Sequence, residues 1–280
     1  MANFHFNVNV ISRSKHTMFG RLRKGRSVVG NAAYITKQKL YDRYTEQTYD
    51  RRSDGSSVPI IGVRLPPGAP QSFKDLQTLM DELNAAEKRK DAQMARSYIL
   101  SLPIELTLSQ QIELVEDYIA KNFTSRGQVA VFGIHLNEAN LHGREHLPPV
   151  EKITRNPHVH ILVPFRAVDC YGFLPTKKES RSTNNPKYLI SLRKEWAEDQ
   201  NRFFERLGLD CRVSPESLIK QGDSREAAIY LGHATIAMER KGIKSVRGDE
   251  YRKKRELIQR LRGQERDQAH DLERDFGHVR

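Results

Sequence analysis

Two short apolar runs, QVAVFGIHL at 128–136 and PHVHILVPFR at 157–166, flank a polar stretch at 137–156. Each is too short for an ordinary helix and is rich in β-branched and aromatic residues, so both read as strands, and the pair is expected to lie side by side in one sheet. This limits what the second run can present. On a strand, His158 and His160 project from one face while Val159 points to the other. His135 ends the first strand, and pairing of the two would bring its ring beside the others. Three neutral imidazoles leave coordination positions open on a divalent ion, as a catalytic metal requires. The spacing of His158 and His160 alone fits a merely polar strand face equally well; the third histidine favours the metal. His142 and His146 fall in the polar stretch and, like His5 and His233, receive no role.

The chain opens with a strand, because Phe4, Phe6, Val8 and Val10 alternate with His5, Asn7 and Asn9. Ser27 is placed to cap a helix running to about Leu40. On that helix Val28, Val29, Ala32, Ala33, Ile35 and Leu40 fall on one apolar arc, and Tyr34 falls opposite it. A tyrosine selected for packing belongs inside the arc, so Tyr34 is the candidate nucleophile, with Tyr41 further along the same outer face as runner-up. Gly30 and Ala33 leave room for a bulky group to approach. A phenol with a free pKa near 10 is a poor nucleophile at neutral pH and needs a metal or base nearby. Further along, the pattern predicts a turn, strand and loop over 50–70, a charged helix from Ser72 to about Arg96 ending in the strand YILSLP, and a helix from Thr107 to Phe123. Another runs from Lys187 to Leu207, closed by Gly208. After Gln221 the chain is charged and poor in apolar residues, which predicts a core domain over 1–221 and a helical extension over 222–280.

Charge narrows the partner. Lys and Arg total 47 against 35 Asp and Glu, a net charge of +12, which favours a polyanion. Arg13, Lys24 and Arg26 flank the first helix as candidate phosphate contacts. Cys170 and Cys211 stand far apart with no paired spacing, which argues against a thiolate zinc site or a disulfide framework. No secretion signal and no span of membrane length are evident, so a cytoplasmic location is expected. No GxxxxGK[ST] loop occurs, so no motor activity is expected.

Taken together, the opening strand followed by ISRS, GRSVVGNAAYITKQKLYD, AAEKRKDAQMAR before SLPIEL, FGIH and NPHVHILVPFR occur in an order that closely resembles the MobA/MobL plasmid mobilisation relaxases of the HUH endonuclease class. YLGHATIAMERKGIKSVRGDE resembles the segment that follows the relaxase domain in that family. The resemblance implies a two-layer α+β relaxase fold, with a central antiparallel sheet packed by helices and a helical C-terminal extension. It implies a strand-specific DNA nickase in which Tyr34 attacks a phosphate at an origin of transfer, leaving a 5′-phosphotyrosine link and a free 3′-hydroxyl. His135, His158 and His160 would hold Mg²⁺ or Mn²⁺, with Zn²⁺ fitting the same ligands. The implied partners are single-stranded plasmid DNA, relaxosome accessory proteins and a type IV secretion coupling protein. A rolling-circle replication initiator, or a non-catalytic basic DNA-binding protein with a structural metal, are the alternative readings. Two departures from the family pattern stand out. Ser97 and Ile99 replace glutamates often found before the Leu-Pro, leaving Glu87, Asp91 or Glu105 as candidate carboxylates, and HTMFGRLRK at 16–24 lengthens the loop before the nucleophile helix.

Overall fold

The structure is a computed structural model and describes residues 4–14, 16–18, 21–23, 26–52, 60–136, 157–177, 185–216, 220–221, 233–253 and 256. Its centre is a five-stranded sheet in which every pairing is antiparallel. In spatial order the strands are β1 (Phe6–Ser12), β7 (Gln93–Ser101), β9 (His158–Pro164), β8 (Ala130–His135) and β6 (Ile60–Arg64). The apolar runs at 128–136 and 157–166 are neighbours, β8 beside β9. Apart from the three histidines their apolar character follows from position, since central strands covered on both faces have no solvent side on which to alternate.

Both faces are covered. On one, Tyr98, Phe132, Val159 and Ile161 pack with α3 (Leu108–Asn122) and α4 (Pro186–Arg206), where the Tyr118 and Trp196 rings meet edge to face at 5.0 Å. On the other, Val131 and Leu162 pack with α1 (Val28–Thr36) and α2 (Leu76–Ala86). The α+β class and the antiparallel sheet are as expected. The helices, however, divide between two faces instead of forming one layer, because α1 and α2 each carry an apolar stripe that only the sheet's second face can bury.

Helix ends follow local chemistry. Ser27 caps α1 by accepting from the Gly30 N–H, and Thr107 with Gln110 forms a reciprocal capping box on α3. Asn185 caps α4, with Pro186 in its first turn. Two boundaries differ from expectation. Helix α1 stops at Thr36, and Leu40 is buried from a strand instead: β4 (Lys39–Asp42), which alternates exposed and buried residues, pairs with β5 (Gln47–Asp50). Helix α2 stops at Ala86, because its apolar stripe ends at Leu83, and β7 begins as early as Gln93.

The lengthened loop contains a small hairpin of β2 (His16–Met18) and β3 (Arg21–Arg23). A second small hairpin joins β10 (Val168–Asp169) to β11 (Gly172–Phe173). Contacts divide the chain into two units, residues 1–215 and 216–280. The second contains α5 (His233–Arg240), where Glu239 accepts hydrogen bonds from Ser245 and Arg252. Among the described residues, no helix is long and apolar enough to cross a membrane.

Candidate metal and nucleophile site

Antiparallel register builds the histidine cluster. Across β8 and β9, His135 pairs with His158 and Gly133 with His160, so three imidazoles converge on the face that carries α1. Their ring centroids are 4.7 to 5.5 Å apart. Within the cluster, one donor nitrogen from each lies within 4.8 Å of the others.

Each ring is held differently. The His135 Nε2 lies 2.8 Å from the carbonyl oxygen of Ile35. A carbonyl only accepts, so Nε2 carries the proton and Nδ1 is left with its lone pair. His160 is buried, and its Nε2 has no hydrogen-bond partner. Burial, followed by the charges of His135, His158 and Lys37, pulls its pKa down to about 3, so the ring is neutral at physiological pH. His158 is half-buried at the strand entrance.

A buried polar atom without a partner is costly unless something binds it. Three imidazoles on one ion place their donors about 3 to 3.5 Å apart, and here the donors already lie within 4.8 Å of one another. The residues therefore fit a divalent cation. The donor set alone does not choose among Mg²⁺, Mn²⁺ and Zn²⁺.

Tyr34 stands over this cluster. Its ring centroid lies 5.5 Å from that of His160 and 5.8 Å from that of His135, and the residue is 41% exposed. Helix geometry explains the exposure: Val28, Val29, Ala32, Ala33, Ile35 and Thr36 are the buried positions of α1, and Tyr34 lies outside that set. The Lys37 ammonium sits 4.6 Å from the Tyr34 ring centre. It is presented there by a left-handed backbone, φ 52°, which also ends the helix. The face thus combines a phenol, a cation and three imidazoles.

A model of the MobA/MobL family matches residues 26–241. This chain belongs to the MobA/MobL family. Among MobA/MobL relatives and other curated proteins, it is 27% identical to a probable mobilization protein MobA of Bifidobacterium longum, over 99% of this chain and 50% of that protein. It is 28% identical to a probable conjugal transfer protein TraA of Sinorhizobium fredii, over 86% of this chain and 22% of that one. The chain therefore spans half or less of the length of these relatives. A solved structure from work on the molecular basis of vancomycin resistance transfer in Staphylococcus aureus shares the fold, with a TM-score of 0.61 and 25% identity, over 76% of this chain and 98% of that one.

Within this MobA/MobL chain, several other sequence expectations change. Tyr41 is on β4, not on the helix, and among the described residues its ring makes no contact with a histidine ring. The room expected at Gly30 is already filled: a methyl group there would stand 2.9 Å from the Tyr49 ring. Ala33 is fully buried. Arg13 is occupied as a brace. Its guanidinium donates to the carbonyls of Asn84 and Glu87 at the end of α2 and stacks on Tyr44 at 3.8 Å, so a phosphate role for it is not supported. Arg26 is exposed immediately before the α1 cap, and Lys24 lies outside the described residues. Glu87 is buried against Arg166 and Lys177, and Asp91 pairs with Arg89, so neither supplies a carboxylate to the histidines. The cluster includes no Glu105 oxygen. Ile99 on β7, where a carboxylate would have stood, is directly across from His160 on β9.

Sequence reasoning missed two contributors, Lys37 and Gly133. The glycine enters the sequence pattern only as part of FGIH, although a glycine inside a strand is a known signal of close backbone approach.

Proposed function

We propose that this chain is the catalytic part of a mobilisation relaxase, which cuts one DNA strand by transesterification onto Tyr34. The observation that carries this reading is the position of the phenol, with its ring within 6 Å of two rings of a metal-competent histidine triad. Family membership supports this reaction class, and the chain's net charge of +12 suits a DNA substrate.

His135, His158 and His160 would hold the divalent ion, which when bound supplies positive charge to the scissile phosphate. The remaining steps belong to the chain's own side chains. Tyr34 loses its phenolic proton to solvent, and the Lys37 ammonium beside the ring favours the resulting phenolate. Its oxygen attacks phosphorus. The bond to the 3′-oxygen breaks, the 3′-oxygen takes up a proton, and the 5′-phosphate stays on Tyr34. Because one phosphodiester is exchanged for another, attack by a 3′-hydroxyl can reverse the step without ATP. In this reading the substrate is single-stranded plasmid DNA at an origin of transfer, with accessory relaxosome proteins and a secretion coupling protein acting in the cell.

Incubation with an origin-region oligonucleotide and Mn²⁺ tests this directly. Wild type is expected to form a covalent adduct that survives denaturing gel electrophoresis. Tyr34→Phe is expected to bind the oligonucleotide with unchanged affinity and form no adduct. An adduct of undiminished yield in that variant would remove Tyr34 as the nucleophile, and binding without any wild-type adduct would favour the non-catalytic reading.

A further inference from the structure

We infer that the Ile35 carbonyl and Gly133 together form a positioning device that locks the nucleophile helix to the metal site. This rests on the roles proposed above for Tyr34 and His135. Helix α1 ends in a way that leaves the Ile35 oxygen available. Lys37 takes the left-handed conformation, and the backbone N–H groups of Lys37 and Gln38 both return to the Ala33 carbonyl. The Ile35 carbonyl is thus one of the terminal acceptors that a helix cannot satisfy internally. The helix C-terminus also carries partial negative charge, which suits an N–H donor. His135 Nε2–H fills that role at 2.8 Å.

The contact requires Gly133. A Cβ at that position would lie 2.3 Å from the Ile35 oxygen, a backbone contact no real side chain makes without something shifting, and a tight 3.1 Å from the Ile35 side chain. Gly133 is also directly opposite His160 in the sheet register, so the opening left by its missing side chain is bordered by two of the three proposed ligands.

Two consequences follow from one hydrogen bond. The His135 tautomer is set, with the proton on Nε2 and not on Nδ1. At the same time the residue next to Tyr34 is tied to that ring, which fixes the height of the phenol over the cluster. Partners of this kind, one step removed from a metal, are worth about 10- to 100-fold in metal affinity or activity when lost.

The test begins with the intact chain, free of metal and DNA, using ¹⁵N correlation spectra of the histidine rings. His135 is expected as a single Nε2–H tautomer. An Nδ1–H tautomer in wild type would overturn the inference whether or not any variant folds. Gly133→Ala is then expected to lose the single-tautomer signature while keeping its circular dichroism spectrum, and to form the adduct about 10- to 100-fold more slowly. An undiminished adduct rate in Gly133→Ala would also overturn it. The two readings fail separately: an Nε2–H signature with no wild-type adduct contradicts the relaxase reading and leaves the hydrogen bond standing, whereas an Nδ1–H signature with a full adduct does the reverse.

Discussion

At His160, burial and two neighbouring imidazoles oppose protonation, and this has a consequence for stability. An exposed histidine titrates near 6.5, whereas the folded ring holds out to about 3. Between those values the unfolded chain binds a proton that the folded chain does not, so acidification through that window favours unfolding. The metal-free protein is therefore expected to lose melting temperature as pH falls below about 6.5. His160→Gln should weaken that dependence, and an unchanged pH profile in the variant would assign the acid sensitivity elsewhere. Lys37 supports a second prediction. Its left-handed backbone costs about 1 kcal/mol in a non-glycine residue, against a similar entropic cost for glycine in the unfolded chain. Lys37→Gly should therefore leave urea stability within about 1 kcal/mol of wild type while slowing adduct formation, because the cation beside Tyr34 is gone. A large loss of stability with normal adduct formation would make Lys37 a structural residue only. The histidines and Tyr34 were legible in the sequence because strand and helix periods state which way a side chain points. Gly133 and Lys37 were not, since their roles depend on where a helix end meets a strand, and no local pattern encodes that meeting.

Helix α1 shows how far periodicity reaches and where it stops. Its cap, its buried arc and the exposure of Tyr34 follow from residues 27–35 alone. Its end does not, because Leu40 continues the helical arc and yet is buried from β4. The β4–β5 hairpin was hidden by its composition: KLYDRYTEQTYD is polar on the exposed face and carries no Gly or Pro to announce the turn. The hairpin matters because it closes over α1. The Tyr49 ring fills the space at Gly30, and the buried Asp42 accepts from the Ser27 hydroxyl at 2.5 Å, from the Tyr44 N–H and from Asn84. Ser27→Ala removes the cap and one donor to a buried carboxylate, so a loss of about 1 to 2 kcal/mol is expected in urea denaturation. A change within error would show that α1 is held by its tertiary contacts alone.

Over the whole molecule, the antiparallel sheet acts as a frame whose two faces have different tasks. One buries α3 and α4, and the other passes along β9 from Leu162, packed with α1 and α2, to His160 and His158. The order of strands could not be read in advance, because pairing of β1 with β7 and of β6 with β8 joins segments far apart in sequence. We propose that residues 1–221 carry the chemistry, and a chain ending at Gln221 is expected to keep wild-type adduct formation; loss of the adduct in a folded truncation would give residues 222–280 a part in the reaction. DNA binding itself should be salt-sensitive, weakening about tenfold or more between 50 and 200 mM salt. The central claim, one phosphate shared by the Tyr34 phenol and the histidine triad, is tested most directly by locating the covalent bond. Trypsin cleavage after Arg26 and Lys37 releases residues 27–37, in which Tyr34 is the one tyrosine, while Tyr41 is released on a different peptide. Mass spectrometry of the adduct formed with Mn²⁺ is expected to find the 5′-phosphate on the 27–37 peptide and nowhere else. A nucleotide on the peptide carrying Tyr41, or an adduct formed equally well by a variant lacking all three histidines, would contradict the account.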